Sequence, residues 1–208
     1  MFKIRKLFSM GLDVALCIHP FHWKRIAGPR SARRIYLTLG DMAFTNESVA
    51  HSVYDLNNCC LILNALGIQN IGIIGASLGG YVAGLYACLS SEPKFIAMMV
   101  PALSFLHPIT PDIFYSRSPF DPRWKSNARR AAEFHSPLNL KPKMSMDNIL
   151  VVASRGDKLC PFVLVEKLQQ QWNLSHCHYR TGGHWLVFDK RRGRIWYSFI
   201  EEKGFIPG

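Results

Sequence analysis

Short apolar blocks alternate along this chain with longer stretches in which apolar residues recur every third or fourth position. The block DVALCI at 13–18 contains β-branched residues and is ended by His19-Pro20, which predicts a strand. A polar loop punctuated by Pro and Gly follows. From 46 to 66, Val49, Val53, Leu56, Cys60 and Leu63 mark one face of a helix, and Gly67 supplies its stop. Residues 71–75, IGIIG, are all apolar or glycine, as suits a strand covered on both faces, and 78–89 form the next helix. Further strands are predicted at 94–100, 148–154 and 175–180, a helix opens at Pro161 and runs to Trp172, and a terminal helix covers 185–203. Residues 103–147 are longer than an ordinary connection, carry one helical piece near 123–133, and suit a lid or binding element. The alternation predicts a single α/β domain over 1–208: a doubly wound, mostly parallel sheet of about five strands with helices on both faces.

Composition changes that picture little. Apolar residues make up 49% and charged residues 19%, an ordinary globular balance, and no apolar run reaches the roughly 18 residues of a membrane span. Basic residues precede an apolar stretch at the N-terminus, but Asp13 interrupts it and no small-residue cleavage site follows, so no signal peptide is expected. Six cysteines without CxxC spacing read as free thiols of a reducing, cytoplasmic protein. His176-Cys177-His178 is not expected to bind metal, because strand alternation sends Cys177 to the face opposite the two histidines.

Charge is more informative. The formal net charge is +11, with basic clusters at 3–6, 30–34, 129–130 and 190–194. No zinc finger, RNP-like motif or basic zipper accompanies them, so nucleic acid is not the expected partner. The charge admits an anionic membrane surface, met peripherally, or an anionic substrate, beside the plainer reading of a basic protein whose charge has no specific target.

The candidate chemistry lies at the ends of the predicted strands. In GASLGG, Ser77 stands between Gly75 and Gly79 on a strand-to-helix turn, which presents its hydroxyl at the apex. The N–H of Leu78 then opens a helix toward the same space and offers an oxyanion donor. Asp157, in ASRGDKLCP, follows the fourth strand, and His184, in RTGGH, follows the fifth. A histidine there can take the serine's proton, and an aspartate can hold that ring's tautomer. Trp23, Phe105, Phe114 and Tyr115 suit either an apolar substrate wall or ordinary core packing.

These three motifs, from about Gly11 to the C-terminus, resemble the α/β-hydrolase superfamily. The segment Pro20-Phe21-His22 with Arg25 is most similar to a poorly characterised branch that includes abhydrolase-domain-18-type proteins. The resemblance implies Ser77 as nucleophile, Asp157 as acid, His184 as base, Pro20, Phe21 and His22 at the substrate, and hydrolysis of a small-molecule or lipid acyl ester without cofactor or metal. It also implies strands ahead of 13–18, and one between that strand and the strand carrying Ser77. Only ten residues precede Gly11, so an N-terminally shortened fold is expected. Either 13–18 pairs directly with 71–75 or the sheet has a gap there. A non-catalytic protein that binds a partner or ligand is the alternative function.

Overall fold

A computed structural model describes residues 4–26, 41–105, 122–185 and 194–206. Four strands, β1 (Gly72–Ala76), β2 (Phe95–Met99), β3 (Ile149–Ser154) and β4 (His176–Arg180), pair in parallel in the order β1-β2-β3-β4. The helices are α1 (Ile4–Ser9), α2 (Met42–Ala65), α3 (Leu78–Leu89), α4 (Pro122–Glu133), α5 (Phe162–Trp172) and α6 (Arg194–Glu202).

The central strands β2 and β3 are buried along their whole length, because both of their faces carry helices. Alternate residues divide between two cores. Ile96, Met98, Ile149, Val151 and Ala153 point to the side of α3 and α5. Phe95, Ala97, Met99, Leu150 and Val152 point to the opposite side, where Trp196, Phe199 and Ile200 of α6 and Leu7 of α1 cover them. Parallel strands placed side by side in chain order put their connecting helices on one face when the crossovers share one hand. Helix α6 follows the last strand and closes the other. Helices α2 and α4 form an outer layer on α3, through Val49, Ala128 and Ala132 against Tyr81, Val82 and Leu85. No helix among the described residues is long and apolar enough to cross a membrane.

The α/β class and the parallel sheet with helices on both faces agree with the sequence pattern, while the first predicted strand does not form. Residues 13–18 have no regular secondary structure and make no ladder with β1, so the described sheet has four strands instead of about five. Of that segment only Val14, with the preceding Leu12, packs against the second core, while Leu16 is exposed. Alternating burial does not itself supply a hydrogen-bonding neighbour.

Helix α2 starts four residues before the predicted Asn46, because the Asp41 carboxylate caps it by accepting from Phe44 N (2.9 Å). The basic cluster at 30–34, residues Phe114 and Tyr115, and the start of the predicted terminal helix lie largely outside the described residues.

Candidate active site

The site is assembled at the C-terminal ends of the parallel strands, where such sheets place their chemistry. At the end of β1 the chain reverses into α3 through Ser77, which has φ 53° and ψ −115°. That conformation is sparsely populated for a residue with a side chain and costs on the order of 1–3 kcal/mol. Its surroundings hold it there. Ser77 N donates to Met99 O of β2 (2.9 Å), while the Ser77 carbonyl accepts from Tyr81 N (3.0 Å) and Ala102 N (3.1 Å). Val100, at the end of β2, is also at positive φ (42°), so two strained residues meet on neighbouring strand ends.

Gly75 is what permits the turn. A Cβ on it would lie 2.1 Å from the Gly79 carbonyl oxygen, a backbone atom that cannot move aside. Gly79 is different, since a Cβ there would meet only His19 Nε2, at 3.6 Å. The Leu78 N–H, first in α3, has no intrahelical acceptor and forms no hydrogen bond among the described residues, which leaves it free to face a developing anion.

The turns after β3 and β4 are stitched together. Arg155 N donates to Arg180 O (2.7 Å) and Gly156 N to Gly182 O (3.0 Å). This registration brings Asp157 and His184 into contact, with His184 Nδ1 2.7 Å from Asp157 Oδ2. Both residues are buried. Asp157 Oδ1 accepts from Leu159 N (2.9 Å) and Cys160 N (2.8 Å), so the carboxylate is fixed by its own turn. With Nδ1–H given to Asp157, the lone pair of His184 resides on Nε2. The ring also meets Trp185 edge-on at 5.3 Å, and Trp185 is exposed.

Ser77 and His184 share no hydrogen bond. The neighbour recorded for Ser77 Oγ is Cys160 Sγ, at 4.0 Å. The sequence pattern does not set Cys160 apart from the other five free thiols. The Cys160 Sγ, a ring nitrogen of His184 and a carboxylate oxygen of Asp157 all lie within 4.8 Å of one another, the one such cluster of potential metal donors among the described residues. Burial, and secondarily the Asp157 charge, pushes the Cys160 thiol up to about 12, while the contact with Ser77 acts the other way. The signal in the sequence was the spacing Asp-x-x-Cys in the turn that follows a strand.

The segment at 20–22 reaches the elbow through its neighbour His19, whose ring faces Gly79. Pro20 is buried, Phe21 is at φ 59° and packs on Phe44 (4.9 Å between centroids), and His22 Nδ1 lies 2.8 Å from Pro20 O. Arg25 anchors this segment by donating to Ile18 O (2.8 Å) and pairing with Asp55 of α2. His176 and Cys177 diverge as alternation requires, toward Phe199 and the α5-side core respectively.

Residues 44–179 match the model of an uncharacterised protein family, UPF0227. Over 212 aligned residues the chain is 26% identical to the uncharacterised protein Rv2627c of Mycobacterium tuberculosis, with 99% of this chain and 50% of the relative covered. The chain thus spans about half the length of the curated relatives it matches. Among solved structures it is similar to TT1662 from Thermus thermophilus, with a TM-score of 0.59 and 15% identity over 89% of this chain and 74% of that one. It is also similar to MGS-MChE2, an α/β-hydrolase enzyme from the sediment metagenome of the Mar Chica lagoon, with a TM-score of 0.53 and 17% identity over 76% and 71%. At these identities the likeness establishes the fold, that of the α/β-hydrolases.

Proposed function

Because the chain belongs to the uncharacterised UPF0227 family and is folded as α/β-hydrolases are, we propose that it is a serine hydrolase acting on an ester or related acyl substrate. The observation that carries this reading is the strained backbone of Ser77 at the apex between β1 and α3. Such strain persists only where surrounding structure enforces it, and it serves to expose a nucleophile.

In the proposed reaction Ser77 Oγ turns from Cys160, meets His184 Nε2 and attacks the acyl carbon. His184 takes the hydroxyl proton while Asp157 holds Nδ1–H and stabilises the imidazolium. The oxyanion is met by Leu78 N–H. His184 returns the proton to the leaving group, and the acyl-serine is hydrolysed by water along the same path. Apo sites often leave the serine–histidine bond open until substrate arrives, so its absence here is compatible with catalysis. Pro20, Phe21 and His22 stand on the acyl side through the contact of their loop with the elbow. The likeness to the abhydrolase-domain-18-type branch rests on that segment and Arg25.

A fluorophosphonate probe tests the proposal. Ser77 is expected to be labelled, Ser77→Ala to remain unlabelled, and His184→Ala to react about 10²- to 10⁴-fold more slowly. The second reading, a binding protein without catalysis, is favoured by the contact of Ser77 with Cys160 in place of His184. Folded protein that never labels would establish that reading and end the first.

A further inference from the structure

Beside Ser77 the structure gathers a sulfur, an imidazole and a carboxylate that the proposed hydrolysis does not use together. Asp157 and His184 are accounted for by the reaction, but Cys160 is not. Its thiol is buried, 4.0 Å from Ser77 Oγ, and shares the 4.8 Å cluster with Asp157 and His184. We propose that Asp157, Cys160 and His184 form a site for a thiophilic divalent cation such as Zn²⁺, and that the ion and catalysis exclude one another.

The donor set selects the ion. One carboxylate, one imidazole and one thiolate suit zinc or cobalt and offer too few oxygens for calcium or magnesium. Tetrahedral zinc, with bonds of about 2.0–2.3 Å, separates its ligands by roughly 3.3–3.6 Å. The sulfur must therefore approach by up to about 1.5 Å from its place in the 4.8 Å cluster, and the ring and carboxylate, now in hydrogen-bond contact, must part slightly. Asp157 is already held by the N–H groups of Leu159 and Cys160, so the turn that carries the sulfur also fixes the carboxylate.

Binding releases one proton, from the Cys160 thiol to solvent, and the sulfur lone pair forms the new bond. His184 binds through either ring nitrogen with the same outcome. Through Nδ1 the ion displaces the proton shared with Asp157 and drives it to Nε2. Through Nε2 it occupies the atom that takes the Ser77 proton. In both arrangements the base is spent, and Ser77 has no acceptor. The exclusion rests on the serine-hydrolase reading, whereas the binding does not.

Cobalt is the probe for binding. Titration of the full chain with Co²⁺ is expected to give a saturating 1:1 thiolate-to-cobalt charge-transfer absorption that Zn²⁺ displaces. Cys160→Ser, which keeps the volume, should abolish it. Asp157→Asn should weaken binding by more than the roughly 10- to 100-fold that loss of an outer-shell partner costs, because it removes a charged ligand. Cys177→Ala, whose thiol has histidines on either side in sequence, should leave it unchanged. Absence of the band, or its survival in Cys160→Ser, overturns the site.

Fluorophosphonate labelling then tests the exclusion. Zn²⁺ should slow labelling of Ser77 in the parent protein, reversibly on chelation, and not in Cys160→Ser. Labelling at an undiminished rate with metal bound overturns the exclusion. A protein that binds cobalt but never labels defeats the hydrolase reading and leaves the metal site standing.

Discussion

Gly75 and Gly79 flank Ser77 evenly in sequence but not in space. A methyl group on Gly75 would be driven into the Gly79 carbonyl at 2.1 Å, while one on Gly79 would sit at ordinary contact distance from His19 Nε2. Gly75→Ala should therefore cost about 1–3 kcal/mol or more, the price of overpacking, and should displace Ser77. Gly79→Ala, inside α3, should be neutral or stabilising by up to about 1 kcal/mol. Urea unfolding of the two variants checks the contrast, and equal losses would show that the elbow is not held by the Gly75 contact. Ser77, Asp157 and His184 were legible because each sits beside a strand end, marked by glycine in the same short motif. Their mutual geometry was only half legible. The pairing of Asp157 with His184 follows from two turns that exchange backbone hydrogen bonds, and the place of Cys160 between them and Ser77 depends on a turn that its spacing alone does not draw.

At the scale of elements, one polar chain ties α2 and the end of α4 to α3, the helix that follows Ser77. Tyr81 of α3 is fully buried and its hydroxyl bonds His135 Nδ1, just past α4, while His135 Nε2 lies 2.9 Å from Asn46 Oδ1 of α2. A neutral ring fits, donating from Nε2 to Asn46 and accepting at Nδ1 from Tyr81. Tyr81→Phe leaves that acceptor without its donor and should cost about 1–3 kcal/mol. Adding His135→Leu should cost less than the sum of the two single changes, because both remove the same bond. Additive losses in denaturant unfolding would dissolve the chain into independent contacts. Nothing in the sequence pattern points to this polar chain, since the partners of His135 are 54 and 89 residues away. The elements themselves were legible: α3 runs from Leu78 to Leu89 as its spacing predicts, and α4, α5 and the four strands fall within a residue or two. Those segments bury a face, and burial writes their period. At 13–18 the same kind of pattern marked a segment that touches the second core through Val14 and is not hydrogen-bonded into the described sheet.

For the whole molecule, three histidines titrate below their ordinary value, His178 of β4 among them, and two of them tie stability in acid to the elbow. His19 and His135 both titrate below their ordinary value of about 6.5, His19 at about 4, with burial the main cause in each. Neighbouring His22 and Arg25 lower His19 further, and Asp55 opposes them. Above pH 6.5 both rings are neutral whether the chain is folded or not, and their contribution to stability is complete. As pH falls below 6.5 the unfolded chain takes up protons that the folded one refuses, so stability declines until the folded rings also protonate, near pH 4 for His19. The loss converges on the elbow, because His19 faces Gly79 and His135 bonds Tyr81 in the same helix. The formal charge of +11 makes each added proton more costly through self-repulsion. Thermal melting between pH 7 and pH 4 should show a falling midpoint, and the double variant His19→Asn, His135→Asn should fall less steeply. Parallel slopes in parent and variant would move the acid sensitivity to other groups. Added salt separates the two contributions, since it screens the general repulsion while leaving the burial of these two rings unchanged.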